Sequence, residues 1–110
     1  MNQLPLREPT FLILTSLAAG PQHGYGIMTD VGEISAGRVR LPAGTLYAAL
    51  DRLTTGQLVE QDRDEIVDGR LRRYYRLTAE GAKVLAAEAE RQRVNAATAA
   101  RRLGLAGGQA

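Results

Sequence analysis

Residues 42–53 read Pro42-Ala43-Gly44-Thr45-Leu46-Tyr47-Ala48-Ala49-Leu50-Asp51-Arg52-Leu53, and this stretch, with the hairpin signal that follows it, decides the fold. Leu46, Leu50 and Leu53 fall at i, i+4 and i+7, one apolar stripe of a 3.6-residue helix, while Thr45, Asp51 and Arg52 take the opposite face. After Gly56 come Leu58-Val59, then Asp68-Gly69, the two-residue signature of a type I′ turn, then Leu71-Arg72-Arg73-Tyr74-Tyr75-Arg76-Leu77. A helix running into a two-stranded hairpin is how a winged helix-turn-helix is written. The fold class expected is α+β, mostly α.

Charge is divided across that hairpin. Glu60, Asp62, Asp64, Glu65 and Asp68 lie on the outgoing strand and its approach to the turn, against Arg63 alone, whereas the return strand carries Arg70, Arg72, Arg73 and Arg76. One reading is register-setting ion pairs, each contributing ~0.2 to 1 kcal/mol. The other is contact with phosphate or a minor groove, favoured because four arginines cluster on a strand whose turn projects from the body. Strand alternation puts Tyr75 and Leu77 on a buried face and Tyr74 with Arg72 and Arg76 on the other. Arg73 shares the inner face, so its direction depends on where the core ends.

Working outward, Pro9 and Gly20-Pro21 bracket a first helix at 10–19. Phe11, Leu12, Ile13, Leu14 and Leu17 make it apolar almost all round, so part of it, with Phe11 and Leu14, is expected to meet a second subunit. A second helix is expected from His23 or Gly24 to Ile34, with Tyr25, Met28 and Val31 as its stripe and three glycines that weaken it. The loop after it brings Arg38 and Arg40 to the third helix.

Thr78 is a fitting N-cap for a final helix reaching about Leu103, rich in Ala, Glu and Arg and free of proline. Ala82, Leu85, Ala89, Gln92, Ala96, Ala99 and Leu103 alternate steps of three and four, a heptad seam with one polar member. Such a helix, ~37 Å long at 1.5 Å per residue, outreaches so small a domain and needs a partner for its far half. Leu85, Ala89, Gln92, Ala96 and Leu103 are therefore read as dimer contacts. The organisation expected is a winged-helix unit at 1–77, a dimerisation helix at 78–103 and a flexible tail at 104–110.

A chain of 110 residues, 45% hydrophobic, holds one core and not two. It has no cysteine, which excludes disulfides and thiolate metal clusters and suits a reducing compartment. Apolar runs such as Phe11 to Leu14 are far below the ~18 residues a spanning helix needs. No signal peptide and no membrane partner are expected, and the compartment expected is the cytoplasm. The net charge of +2 is uninformative beside its distribution. His23, the one histidine, lacks the companions a zinc site needs and reads as a hydrogen bonder at a helix start beside Tyr25. Gly24-Tyr25-Gly26 follows no strand and is no phosphate loop. Nothing resembles a nucleophile with its base, so neither catalysis nor a cofactor is expected.

His23-Gly24-Tyr25, Gly44-Thr45-Leu46-Tyr47, Leu50, Arg52-Leu53, Gly56, Leu58, Gly69 and Arg73-Tyr74-Tyr75-Arg76-Leu77-Thr78 with Gly81 resemble the signature of PadR-type transcriptional regulators, over roughly residues 10–82. The resemblance implies a homodimer that binds operator double-stranded DNA as a repressor, with a single C-terminal dimerisation helix. It also implies release by a small apolar or aromatic effector at the dimer core. With no Trp and one Phe, the chain lacks the aromatic plates on which some short relatives stack flat drugs. Where the family carries proline after the helix tyrosine, this chain has Ala48, read as loosening the first turn of that helix. The DNA-contacting set is Tyr25, Arg40, Ala43, Gly44, Thr45, Tyr47, Arg70, Arg72 and Arg73. In it the residues from Ala43 to Tyr47 enter the major groove, with Thr45 on a base edge, and the wing arginines clamp the backbone. Tyr25 and Tyr47 also admit a packing role. Two other classes stay open: a winged-helix protein-interaction module without specific DNA binding, and, more distantly, a hydrolase or metal enzyme.

Overall fold

The computed structural model describes residues 5–105. In chain order these form α1 (Glu8–Ala18), β1 (Gln22–His23), α2 (Gly24–Ile34), α3 (Ala43–Thr55), β2 (Val59–Val67), β3 (Arg70–Leu77) and α4 (Ala79–Leu103). The three strands make an antiparallel sheet in the order β1-β3-β2. This is the mostly helical α+β winged helix-turn-helix expected.

α1 begins two residues before the predicted start because Pro9 is accepted within its first turn, where no intrahelical N–H bond is lost. Its wide apolar surface is consumed inside the protomer: Leu12, Ile13, Leu14 and Leu17 are all buried, under α2, α4 and β3. Leu14, expected at a subunit contact, has no accessible surface left to offer one. Phe11 is half-buried against the same core. In α2 the buried positions are Gly24, Ile27 and Val31; of the predicted stripe Val31 is buried and Met28 half-buried against the core, whereas Tyr25 is not and Ile27 takes its place. Tyr25 is 70% exposed, since a helix starting at Gly24 turns that position outward.

α3 buries Leu46, Ala49, Leu50 and Leu53. Each large aliphatic side chain so covered contributes ~1.5 to 3 kcal/mol, which offsets α3's poor side-chain capping. Ala48 lies past the first turn of α3, inside a regular helix, so it does not loosen the helix start as predicted. The wing turns at Asp68 (φ 52°) and Gly69 (φ 76°), both left-handed as a type I′ turn demands. Sequence inspection missed β1, where Gln22 and His23 pair with Tyr75 and Tyr74. It also missed a bulge between Gln61 and Asp64 that shifts the register of β2 against β3.

α4 is fastened at its root. The Thr78 hydroxyl accepts the Gly81 N–H at 2.9 Å and donates to the Gln57 carbonyl at 2.7 Å, while the Thr78 N–H donates to Leu58 at 3.1 Å. A Cβ on Gly81 would land on the Leu58 carbonyl oxygen, so the close approach of helix and strand requires glycine here. Leu85 packs half-buried on the protomer's own core, and Gln92 donates to the Glu88 carboxylate at 3.0 Å. Two members of the predicted seam therefore have partners within the protomer. Ala89, Ala96 and Leu103 are less covered, Leu103 being 72% exposed. Gly104 ends α4 in the left-handed region (φ 74°), and the Leu105 N–H donates back to Ala100 at 2.8 Å. Those two residues of the predicted tail are thus a helix cap, and 106–110 lie outside the described residues.

Glu88 is the one acid in the interior among the described residues. Its carboxylate accepts from Arg91 at both oxygens, from Gln92, and from the Leu6 backbone N–H at 3.4 Å. Hydrogen bonds from Arg91 and then Gln92 hold its pKa down to about 2, against the pull of desolvation.

Candidate nucleic-acid interface

The first turn of α3 is left open. Its N-cap is Pro42, which makes no side-chain cap bond, and Ala43, Gly44 and Thr45 are exposed. A Cβ on Gly44 would meet no atom within 4 Å, so nothing in the protomer requires glycine there. Its smallness keeps the backbone approachable from outside. Tyr47, 43% exposed, lies against Gly24, where a Cβ would strike its ring. That contact locks the start of α2 to α3 and explains why the helix tolerates a glycine that, by propensity alone, is only a weakness.

The wing arginines divide into two kinds. Arg76 donates to Glu60 at 2.8 Å and to Asp62 at 3.0 Å, and Arg73 to Asp64 at 3.3 Å. These follow the register-setting reading. Arg70 and Arg72 have no ion pair among the described residues. Glu65, the register partner of Arg72, is occupied by Arg63 at 3.0 Å; hydrogen bonds from Arg63 and then Tyr74 hold its pKa below the usual carboxylate range. Arg63 also stacks 4.0 Å above the Tyr74 ring. Arg72 instead lies 3.4 Å from His23 Nε2.

His23 caps α2: its Nδ1 accepts the Gly26 N–H at 3.2 Å. The aromatic beside it is Tyr74, edge-on at 5.3 Å, rather than the predicted Tyr25. Burial and then the Arg72 charge lower its pKa, and Glu65 works the other way.

Tyr25, Tyr47, Arg70, Arg72 and Arg73 come together around one groove of about 400 Å³ between the wing and the α2–α3 corner. Arg40 is exposed and lines a separate depression with Tyr25 and Met28, while its neighbour Arg38 is held by Glu8 at 2.7 Å. Ala43, Gly44 and Thr45 lie outside the groove, on the adjoining open end of α3. No cluster of three His, Cys, Asp or Glu suited to a metal ion occurs among the described residues, and none of their helices is long and apolar enough to cross a membrane.

Comparison with known proteins places this arrangement. The family model described as transcriptional regulator PadR-like matches residues 13–87. An uncharacterised 37.1 kDa protein in transposon Tn4556 of Streptomyces fradiae is 41% identical over 82 residues, which is 74% of this chain and 22% of that protein. An uncharacterised protein X of Lysinibacillus sphaericus is 29% identical over 70 residues, 64% of each chain. The chain thus spans less than two thirds of either relative. A PadR family transcription regulator from Clostridium difficile superposes with a TM-score of 0.72 at 26% identity, covering 88% of this chain and 99% of that one. Bacillus subtilis PadR in complex with operator DNA superposes with a TM-score of 0.64 at 25% identity, covering 73% of this chain and 45% of that one.

Proposed function

Because this chain belongs to the PadR-like family of transcriptional regulators, we propose that it binds operator double-stranded DNA as a homodimer and represses the adjoining promoter. The observation that carries the reading is the groove in which Tyr47 of α3 meets Arg70 and Arg72, whose guanidiniums have no ion pair among the described residues, beside the uncapped, exposed α3 N-terminus. A helix end of that kind suits a major groove, with Thr45 on a base edge and Ala43 and Gly44 admitting the backbone. Arg70 and Arg72 hold flanking phosphates, Tyr47 and Tyr25 offer hydroxyls beside them, and Arg40 extends the basic edge. Arg73 contributes least, being matched to Asp64. The operator complex of B. subtilis PadR supports DNA as the partner class.

The dimer rests on the far half of α4, where Ala89, Ala96, Val94 and Leu103 keep accessible surface on a helix that extends beyond the rest of the protomer. A small apolar or aromatic effector bound between the paired α4 helices relieves repression in this reading.

The test is a mobility-shift titration on the protein's own upstream DNA and on unrelated duplex at matched salt. The upstream DNA is expected to bind tighter by a factor on the order of 10³. Thr45→Ala should lose about 1 to 3 kcal/mol on that site and little on random duplex. Equal, weak binding to both duplexes would favour the protein-interaction module instead. Light scattering at micromolar concentration is expected to give a dimer, and a monomer would remove the assembly claim.

A further inference from the structure

His23 stands at the junction of two grooves. With Tyr25 and Arg72 it lines both the groove under the wing and a second one of about 520 Å³ between the end of α1 and α2. Its two ring nitrogens face two donors, the Gly26 backbone N–H at 3.2 Å from Nδ1 and an Arg72 guanidinium nitrogen at 3.4 Å from Nε2. A neutral imidazole has only one acceptor nitrogen, so it cannot accept from both. The backbone N–H is fixed by α2 and has no other orientation, whereas the Arg72 side chain can turn. The fixed donor therefore decides the tautomer: Nδ1 accepts, and Nε2 carries the hydrogen.

That assignment changes what lies at Nε2. Two donors, the Nε2–H and the Arg72 guanidinium, stand side by side with no acceptor between them among the described residues. Glu65, the nearest carboxylate by register, is taken by Arg63. An oxygen anion from outside satisfies both donors at once. We propose that His23 and Arg72 together form a two-donor fork for one backbone phosphate of bound duplex, which makes His23 a DNA-contacting residue and not only the cap of α2. The proposal rests on the DNA-binding reading above and names a residue and a contact that reading does not include.

A consequence in pH follows. The groups facing His23 are Arg72 and Tyr74 on β3, Glu65 on β2, and Asp30 and Glu33 of α2 in the second groove, with Arg63 stacked behind Tyr74. In the free protein burial and then the Arg72 charge lower the ring's pKa, and Glu65 works the other way. A phosphate at Nε2 pulls toward the imidazolium, but the second proton would have to sit on Nδ1 and displace the Gly26 N–H, so the ring donates to the phosphate as the neutral Nε2–H tautomer. Binding then takes up no proton at His23, and its contribution to affinity does not grow as pH falls.

His23→Asn tests this, because asparagine is among the best N-caps and so keeps α2 while removing the donor at Nε2. Circular dichroism and the thermal midpoint are expected to stay near the wild type. Affinity for random duplex should fall roughly tenfold, the weight of a hydrogen bond to a charged group, and by the same factor at pH 8 and at pH 6. In an Arg72→Ala background the same substitution should cost clearly less, since both residues hold one phosphate. Wild-type affinity in folded His23→Asn, while Arg72→Ala binds weakly, would overturn the fork and leave the DNA reading standing. Failure of the wild type itself to bind duplex would instead overturn the reading on which the fork depends.

Discussion

At the root of α4 the polar groups are closed on one another, and at the tip of the wing they are not. The Thr78 hydroxyl donates to the Gln57 carbonyl and accepts from one helix residue, and the Glu88 carboxylate is filled by Arg91, Gln92 and the Leu6 N–H. On the wing, carboxylates hold Arg73 and Arg76, while Arg70 and Arg72 have none among the described residues. Satisfied groups fix geometry and contribute to stability. Unsatisfied charged groups at the surface cost little in water and remain available to a ligand. Stability thus belongs to one region and, on the proposed function, binding to the other, a division that substitutions moving the wrong property would break.

The largest effect is expected at the root. Gly81→Ala places a methyl on the Leu58 carbonyl oxygen and close to the Leu77 side chain, and backbone cannot swing aside. A loss of about 3 kcal/mol is expected, and with it a fall in thermal midpoint on the order of 10 °C. An unaltered midpoint would show that α4 can shift away from β2 at no cost, and the root would not be closed.

The wing should respond in binding and not in stability. Arg70→Ala with Arg72→Ala is expected to weaken operator and random duplex together and to lower the salt slope by roughly 0.9 for each phosphate no longer neutralised. Arg73→Ala with Arg76→Ala should leave the slope nearly unchanged and cost at most about 1 kcal/mol of stability, because their charges are matched by carboxylates. If the two double variants behave alike in a salt titration, the division within the strand is wrong.

The effect most specific to acid belongs to Glu88. Its pKa of about 2 lies below the ordinary carboxylate value of 4.5, so the unfolded chain takes up the proton first as pH falls. Its contribution is complete above about pH 4.5 and is lost between there and about pH 2. Thermal melts across that range should show a steeper fall for the wild type than for Glu88→Gln. Parallel curves would mean that the carboxylate is not held as described.

α3, the wing and its turn are legible in the sequence because they depend on local signals: a 3.6-residue stripe, an Asp-Gly pair and strand alternation. Thr78 is legible as a cap for the same reason. β1 is not, since two residues carry no periodicity and its existence depends on a partner more than 50 positions along the chain. The sorting of the arginines is hidden by the bulge at Gln61 and Asp64, which sets where each guanidinium meets a carboxylate. Leu14 is misplaced by sequence alone because one helix face looks like another until the layers above it are known. Glu88 looks like any acid in an Ala-Glu-Arg helix, and the approach of Leu6 from 82 positions away is not written in that pattern.

The fastening of Thr78 and Gly81 to Gln57 and Leu58 has a mechanical consequence. Because α4 follows the wing with no intervening loop and is held to Gln57 and Leu58, the angle at which two α4 helices crossed in the proposed dimer would fix the distance between the two wings. A ligand that opened that crossing by a few degrees would change the span of the reading heads along a ~37 Å lever, and a spacing mismatch with the helical repeat of DNA would follow without any change at α3.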